Sequence, residues 1–284
     1  MLGYESENRL KNLLVAAGEG ERCAESARQR LCSIRDCAPH SCFQRLDRDA
    51  NCYVSSFELL NFLRDHRNFG TTESECYRLV KFFDSDEDGR LSFQDFLQML
   101  LPCEDNLLRN ITLDRPAQRV GRYDNLPHDI EHAMLDVIEK EIDLQRRLDI
   151  LRRELEARYD YSALSAYRSV DKYNDGRVDT YNLGSFLRSC GHYASERELL
   201  SIIRRIDTDG DARLTYAEFS DFIRSQHPPT SSGLASSGDA RAGSPDGRRT
   251  VGSGNAASPL RNSSPPRAHS VGRASSPIRT SSPC

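Results

Sequence analysis

Two kinds of segment alternate along this chain. Short runs with apolar residues at helical spacing are separated by polar stretches rich in Asp, Asn, Ser and Gly. In the lead-in, residues 1–37, Leu10, Leu13, Leu14 and Ala17 form one apolar side, and a second run extends from Arg22 to Asp36. This predicts helix over 5–37, broken near Gly18–Gly20 and packed on the segment that follows. Pro39 opens a helix carrying Phe43 and Leu46. Another runs through Phe57, Leu60 and Phe62, and Thr72 with Glu75 spells a capping box for the next. Residues 104–127, with Pro116, Gly121 and Pro127, show little periodicity and read as a linker. One long helix then begins near His128 and reaches about residue 158. Its Ile130, Met134, Val137, Leu144, Leu148, Leu151 and Leu155 keep a three–four spacing, interrupted at Glu141 with Ile142 beside it. That seam is too broken for a full coiled coil, so it fits a helix laid along its own lobes or a docking helix for a partner or second copy. The class is all-α.

Four polar stretches share one register. In DTDGDARLTYAE, residues 207–218, oxygen-bearing side chains stand at Asp207, Asp209, Asp211, Thr215 and Glu218, and Arg213 offers its backbone carbonyl. A twelve-residue loop with oxygens at positions 1, 3, 5, 7, 9 and 12 suits Ca²⁺, a hard cation that takes six to eight such donors. The same register gives Asp47, Asp49, Asn51, Tyr53 (carbonyl), Ser55 and Glu58, and again Asp84, Asp86, Asp88, Arg90 (carbonyl), Ser92 and Asp95. A fourth window begins at Asp171, but Tyr173 stands at position 3 and Asn182 at position 12, so no metal is expected there. Position 6, which favours glycine, is Cys52 in the first loop and Ala212 in the last; a Cβ in that left-handed turn costs roughly 1–2 kcal/mol. Glu at position 12 supplies two oxygens, which ranks the Asp207 loop first for Ca²⁺ and the Asp47 loop second. Asp95 is one methylene shorter, which places the Asp84 loop third and makes Mg²⁺ a better competitor there.

Position 8 is apolar in every window (Val54, Leu91, Val178, Leu214), and the first residues lie 37 apart in the first pair (84 − 47) and 36 in the second (207 − 171). This repeat resembles the calmodulin-like EF-hand superfamily. The resemblance implies two lobes of paired helix–loop–helix units, over 38–103 and 159–227, with a short two-stranded β ribbon joining the loops of each pair. The stretches CAPHSCFQRLDRD, LLPC and RYDYSALSAYRSVDKYNDG are also similar to EF-hand proteins of ciliated protists, some of which associate with axonemal microtubules.

Composition refines this picture. A charged fraction of 29 % and no apolar run of the ~18 residues a membrane span needs predict a protein that does not enter membranes. The nine cysteines, an odd number without a signal segment, predict reduced thiols and a cytoplasmic setting. Cys32, Cys37, His40 and Cys42 lie close together, but their spacing does not match structural zinc patterns. Residues 228–284 turn to Ser, Pro, Gly and Arg, with seven Arg and two Asp, hence +5 against −9 for residues 1–227. With almost no large apolar residues this tail is expected to be disordered. Three S-P-x-R repeats make Ser258, Ser264 and Ser276 candidates for phosphorylation by proline-directed kinases. The tail's arginines have no aromatic neighbours, which disfavours nucleic acid.

No nucleophile elbow, phosphate loop or dinucleotide fingerprint is present, so an enzyme and a small-molecule substrate are not expected. The expectation is a Ca²⁺-binding protein with a protein partner. It would act as a structural or regulatory component docked on a cytoskeletal or ciliary, axonemal assembly. The alternative is a free sensor of calmodulin type that grips target helices. Only Met1, Met99 and Met134 occur, few for a surface that adapts to many targets.

Overall fold

The glycines at 18 and 20 predict a break in the lead-in, yet α1 runs unbroken from Tyr4 to Ser33. The reason is contact. A Cβ on Gly18 would lie 2.6 Å from Ile202 Cγ1, and one on Gly20 would lie 2.1 Å from Leu144 Cδ1. The glycines admit neighbouring helices instead of breaking their own.

The computed structural model describes residues 2–121 and 124–225. The Ser/Pro/Arg tail, with Ser258, Ser264 and Ser276, lies outside the described residues. The first lobe holds α2 (Pro39–Leu46), α3 (Ser56–Asp65), α4 (Glu73–Phe83) and α5 (Phe93–Leu100). Pro39 opens α2 as the sequence predicts, and Glu75 accepts hydrogen bonds from the Thr72 amide (2.8 Å) and hydroxyl (2.9 Å) at the start of α4. The aperiodic linker contains α6 (Asn106–Leu113). Its continuation is anchored by Arg115, which donates to the carbonyls of Cys32, Ile34 and Cys37 around the end of α1. The long helix α7 spans His128–Glu156, and the second lobe holds α8 (Ala163–Val170), α9 (Thr180–Ser189), α10 (Glu196–Ile206) and α11 (Tyr216–Ile223). No described helix is long and apolar enough to cross a membrane.

The ribbon expected between paired loops is a single antiparallel bridge in each lobe, Val54 with Leu91 and Val178 with Leu214. Among the described residues no strand forms. The next rungs of such ladders would use the amides of Cys52, Gly89, Gly176 and Ala212. Each of these already donates to the first aspartate of its own loop. The residues opposite them begin helices, so the ladders cannot extend.

Helices α1 and α7 form an antiparallel spine shared by both lobes. The C-terminal half of α1 (Ala27, Leu31) and the N-terminal half of α7 (Ile130, Met134, Val137, Ile138, Ile142) enter the first core beside Phe43, Phe62, Leu79 and Phe96. The other halves, with Leu10, Leu13, Leu14 and Ala17 on α1 and Leu144, Leu148 and Leu155 on α7, enter the second core beside Val170, Phe186, Ile202 and Phe219. The lead-in thus packs on both lobes. Glu141, the interruption in the apolar seam of α7, is fully buried and ion-paired to Arg28 and Arg205. Cys32, Cys37 and Cys42 are buried, while the ring of His40 stacks on Phe93 at 4.0 Å.

Candidate metal centres

Each loop is folded by its own polar side chains. The aspartate at position 1 accepts from the amide at position 6: Asp47 from Cys52 (2.9 Å), Asp84 from Gly89 (2.7 Å), Asp171 from Gly176 (3.0 Å) and Asp207 from Ala212 (2.8 Å). This closure puts position 6 in the left-handed region, with φ of 68° at Cys52 and 61° at Ala212, as the sequence implies. Position 4 is left-handed too, at Ala50, Glu87, Asn174 and Gly210, which the sequence pattern did not reveal. The side chain at position 5 fixes the residue at position 7: Asn51 accepts from the Tyr53 amide (2.9 Å), Asp88 from Arg90 (2.8 Å) and Asp211 from Arg213 (2.8 Å).

The carboxylate at position 12 closes each of three loops. Glu218 Oε2 accepts from the Thr215 amide and hydroxyl, and its Oε1 accepts from the amide and hydroxyl of Thr208, both at 2.9 Å. Burial alone would raise the Glu218 carboxyl, but these hydrogen bonds prevail and bring it down to about 2. Asp95 makes the same pattern with Ser85 and Ser92; Glu58 makes it with Ser55 and accepts from the Arg48 amide at position 2. Ser55, Ser92 and Thr215 at position 9 also cap the outgoing helices. The position-2 hydroxyls of Ser85 and Thr208 escaped the ligand-based reading because they serve the loop and not the ion.

Oxygens of Asp47, Asp49 and Glu58 come within 4.8 Å of one another, as do those of Asp84, Asp86 and Asp88 and those of Asp207, Asp209 and Asp211. Like charges so close are costly without a counter-charge. Burial, with the Glu58 charge nearby, holds the Asp47 carboxyl above its ordinary range, and sharing with Asp84 does the same for Asp86. In the Asp84 loop the Oδ1 of Asp84 is buried with no hydrogen-bond partner. An orphaned anionic oxygen within an all-oxygen cluster fits a hard divalent cation.

The Asp171 loop is arranged otherwise. Asn182 turns its amide nitrogen toward the Arg177 carbonyl at position 7 (3.2 Å), and Tyr173 stacks on Tyr181 at 6.0 Å. The guanidinium of Arg177 reaches into the neighbouring loop and pairs with Asp211 at 2.5 Å. The loop register gives position 7 a role only through its carbonyl, so this cross-loop cation becomes visible only in the fold.

A helix–loop–helix with a twelve-residue oxygen loop, paired across one bridge, defines the EF-hand class. Residues 40–101 and 160–224 match the EF-hand domain pair. Among relatives, mouse secretagogin is 34 % identical over 89 residues, which cover 29 % of this chain and 32 % of that protein. Human calcium-binding protein 7 is 36 % identical over 75 residues, 26 % of this chain and 33 % of that protein. Alpha-actinin A of Dictyostelium discoideum is 32 % identical over 68 residues, 24 % of this chain and 8 % of that protein. The likeness to the first two therefore spans about a third of each relative's length.

Proposed function

We propose that this chain binds calcium through three of its four EF-hand loops and works as a structural or regulatory component docked on a cytoskeletal or axonemal assembly in the cytoplasm. The ligands assigned to the ion are Asp47, Asp49, Asn51, Ser55 and Glu58; Asp84, Asp86, Asp88, Ser92 and Asp95; and Asp207, Asp209, Asp211, Thr215 and Glu218. The carbonyls of Tyr53, Arg90 and Arg213 complete the sets. Held by these residues, Ca²⁺ would supply the positive charge that the crowded carboxylates lack, and the shared ligands would tie each incoming helix to its outgoing one. Mg²⁺ is assigned as a competitor at the Asp84 loop. The likeness to calcium-binding protein 7 and the orphaned Asp84 oxygen support calcium. The ciliary placement rests on likeness to protist proteins in the sequence alone.

One observation favours a docked component over a free sensor. The apolar faces of both lobes are filled by the chain's own α1 and α7. A sensor offers such faces to target helices. Here they are already covered, so calcium is assigned a bracing role. Titration with melittin, a basic amphipathic helix, tests this: no calcium-dependent binding is expected, whereas tight binding in calcium that is lost in chelator favours the free sensor. Co-sedimentation with assembled microtubules, in calcium and in chelator, tests the docking site; equal retention in both supports it, and no retention contradicts the microtubule assignment.

A further inference from the structure

The spine carries two buried ionic chains that join the Asp84 hand to the Asp207 hand. In the first, Arg28 on α1 donates from Nε to the Met99 carbonyl on α5 (3.0 Å) and pairs with Glu21 (2.8 Å) and Glu141 (2.5 Å). The same two carboxylates hold Arg205 of α10, at 3.2 and 2.8 Å. In the second, Arg78 of α4 pairs with Asp149 on α7, which also pairs with Arg152 at 3.2 Å. Arg152 donates from Nε to the Phe222 carbonyl on α11 (2.6 Å). The outgoing helix of the Asp84 hand is thus joined to the incoming helix of the Asp207 hand, and the incoming helix of the first to the outgoing helix of the second.

The arrangement has an approximate twofold relation. Met99 and Phe222 are equivalent, each 15 residues after position 1 of its loop (99 − 84 and 222 − 207), and each gives its carbonyl to an arginine of the spine. Phe82 and Arg205 are also equivalent, each two residues before position 1, and they meet: the Arg205 guanidinium lies 3.9 Å from the Phe82 ring centroid. Arg28, Glu21, Glu141, Asp149, Arg152 and Arg205 are all at least 95 % buried. Buried ion pairs strongly resist losing a partner, so a shift of one hand's helices must be matched across the chains or break them.

We propose that these chains couple the lobes, so that filling the Asp207 loop tightens calcium binding at the Asp84 loop. This rests on the calcium reading above. Both hands present equivalent carbonyls to the shared spine, so the rearrangement that suits one filled loop prepares the other, and the coupling is reciprocal.

The experiment follows the Gly89 amide resonance, at position 6 of the Asp84 loop, while the ¹⁵N-labelled full chain is titrated with Ca²⁺. In Glu218→Gln, where the Asp207 loop is crippled, the Gly89 midpoint is expected to move to about fivefold higher free calcium or beyond. Arg78→Gln, at the rim of the second chain, is expected to cut that displacement at least in half without unfolding the lobes. Arg205→Met, which severs the first chain, is expected to act likewise; should it unfold, the Arg78 variant decides alone. A Gly89 midpoint that stays within twofold on Glu218→Gln overturns the coupling, as does a displacement that Arg78→Gln leaves intact. If Gly89 does not respond to calcium in the wild-type chain, the calcium reading of that loop falls and takes the coupling with it.

Discussion

Ala212 sits at φ 61°, and in the left-handed region a β-carbon costs roughly 1–2 kcal/mol while glycine loses roughly 0.5–1 kcal/mol of extra chain entropy. Ala212→Gly is therefore expected to stabilise the metal-free chain by about 0.5–1 kcal/mol in urea unfolding. An unchanged or lower midpoint would show that the turn is not strained. Glu75 tests a different balance. Hydrogen bonds from Arg146 (2.6 Å), opposed by burial and helped by Thr72, hold its carboxyl at about 2, below the ordinary 4.5. A lowered folded value means stability that is complete above pH 4.5 and lost as the pH falls toward 2. The melting temperature of Glu75→Gln should lie below wild type at pH 7, and the gap should close between pH 4.5 and about 2. A gap of equal size at both ends would rule out this carboxylate as its source.

At the scale of elements, Gly20 is where helix propensity and packing disagree. Alanine gains about 1 kcal/mol of propensity over glycine inside a helix, yet the added Cβ would strike Leu144, three of whose atoms lie within 2.8 Å. Overpacking costs about 1–3 kcal/mol, so Gly20→Ala is expected to lose stability in urea unfolding, and a clear gain would contradict the close approach of α1 to α7. The sequence predicted a helix break at these glycines because their partners, Leu144 and Ile202, are remote in the chain. It read the loops far better, since Asp47, Asp84 and Asp207 fold them through amides five residues on. Glu141 looked like a flaw in an apolar seam, and only the approach of Arg28 and Arg205 makes sense of it. Helix α6 lies in a stretch that the prolines and glycine further on mark as linker, although Leu107, Leu108 and Ile111 keep helical spacing, and the ribbons stay single bridges because their amides are spent on the loops.

At the scale of the whole molecule, residues with no periodic flaw and residues that seemed flawed serve one purpose: the spine closes both cores at once. The described part belongs to one compact unit, Met1–Pro228, so metal binding in either lobe acts on a shared frame. The loops still differ in donors, which sets the expected order of affinity: Asp207 loop, Asp47 loop, Asp84 loop. The direct test is a calorimetric Ca²⁺ titration of the full chain, repeated with Glu218→Gln and with Asp84→Ala in the presence of Mg²⁺. Glu218→Gln should abolish the tightest transition, while Asp84→Ala should leave it standing. A tight transition that survives Glu218→Gln and vanishes with Asp84→Ala would mean that the turn glycine outweighs the twelfth ligand, and the order would be inverted.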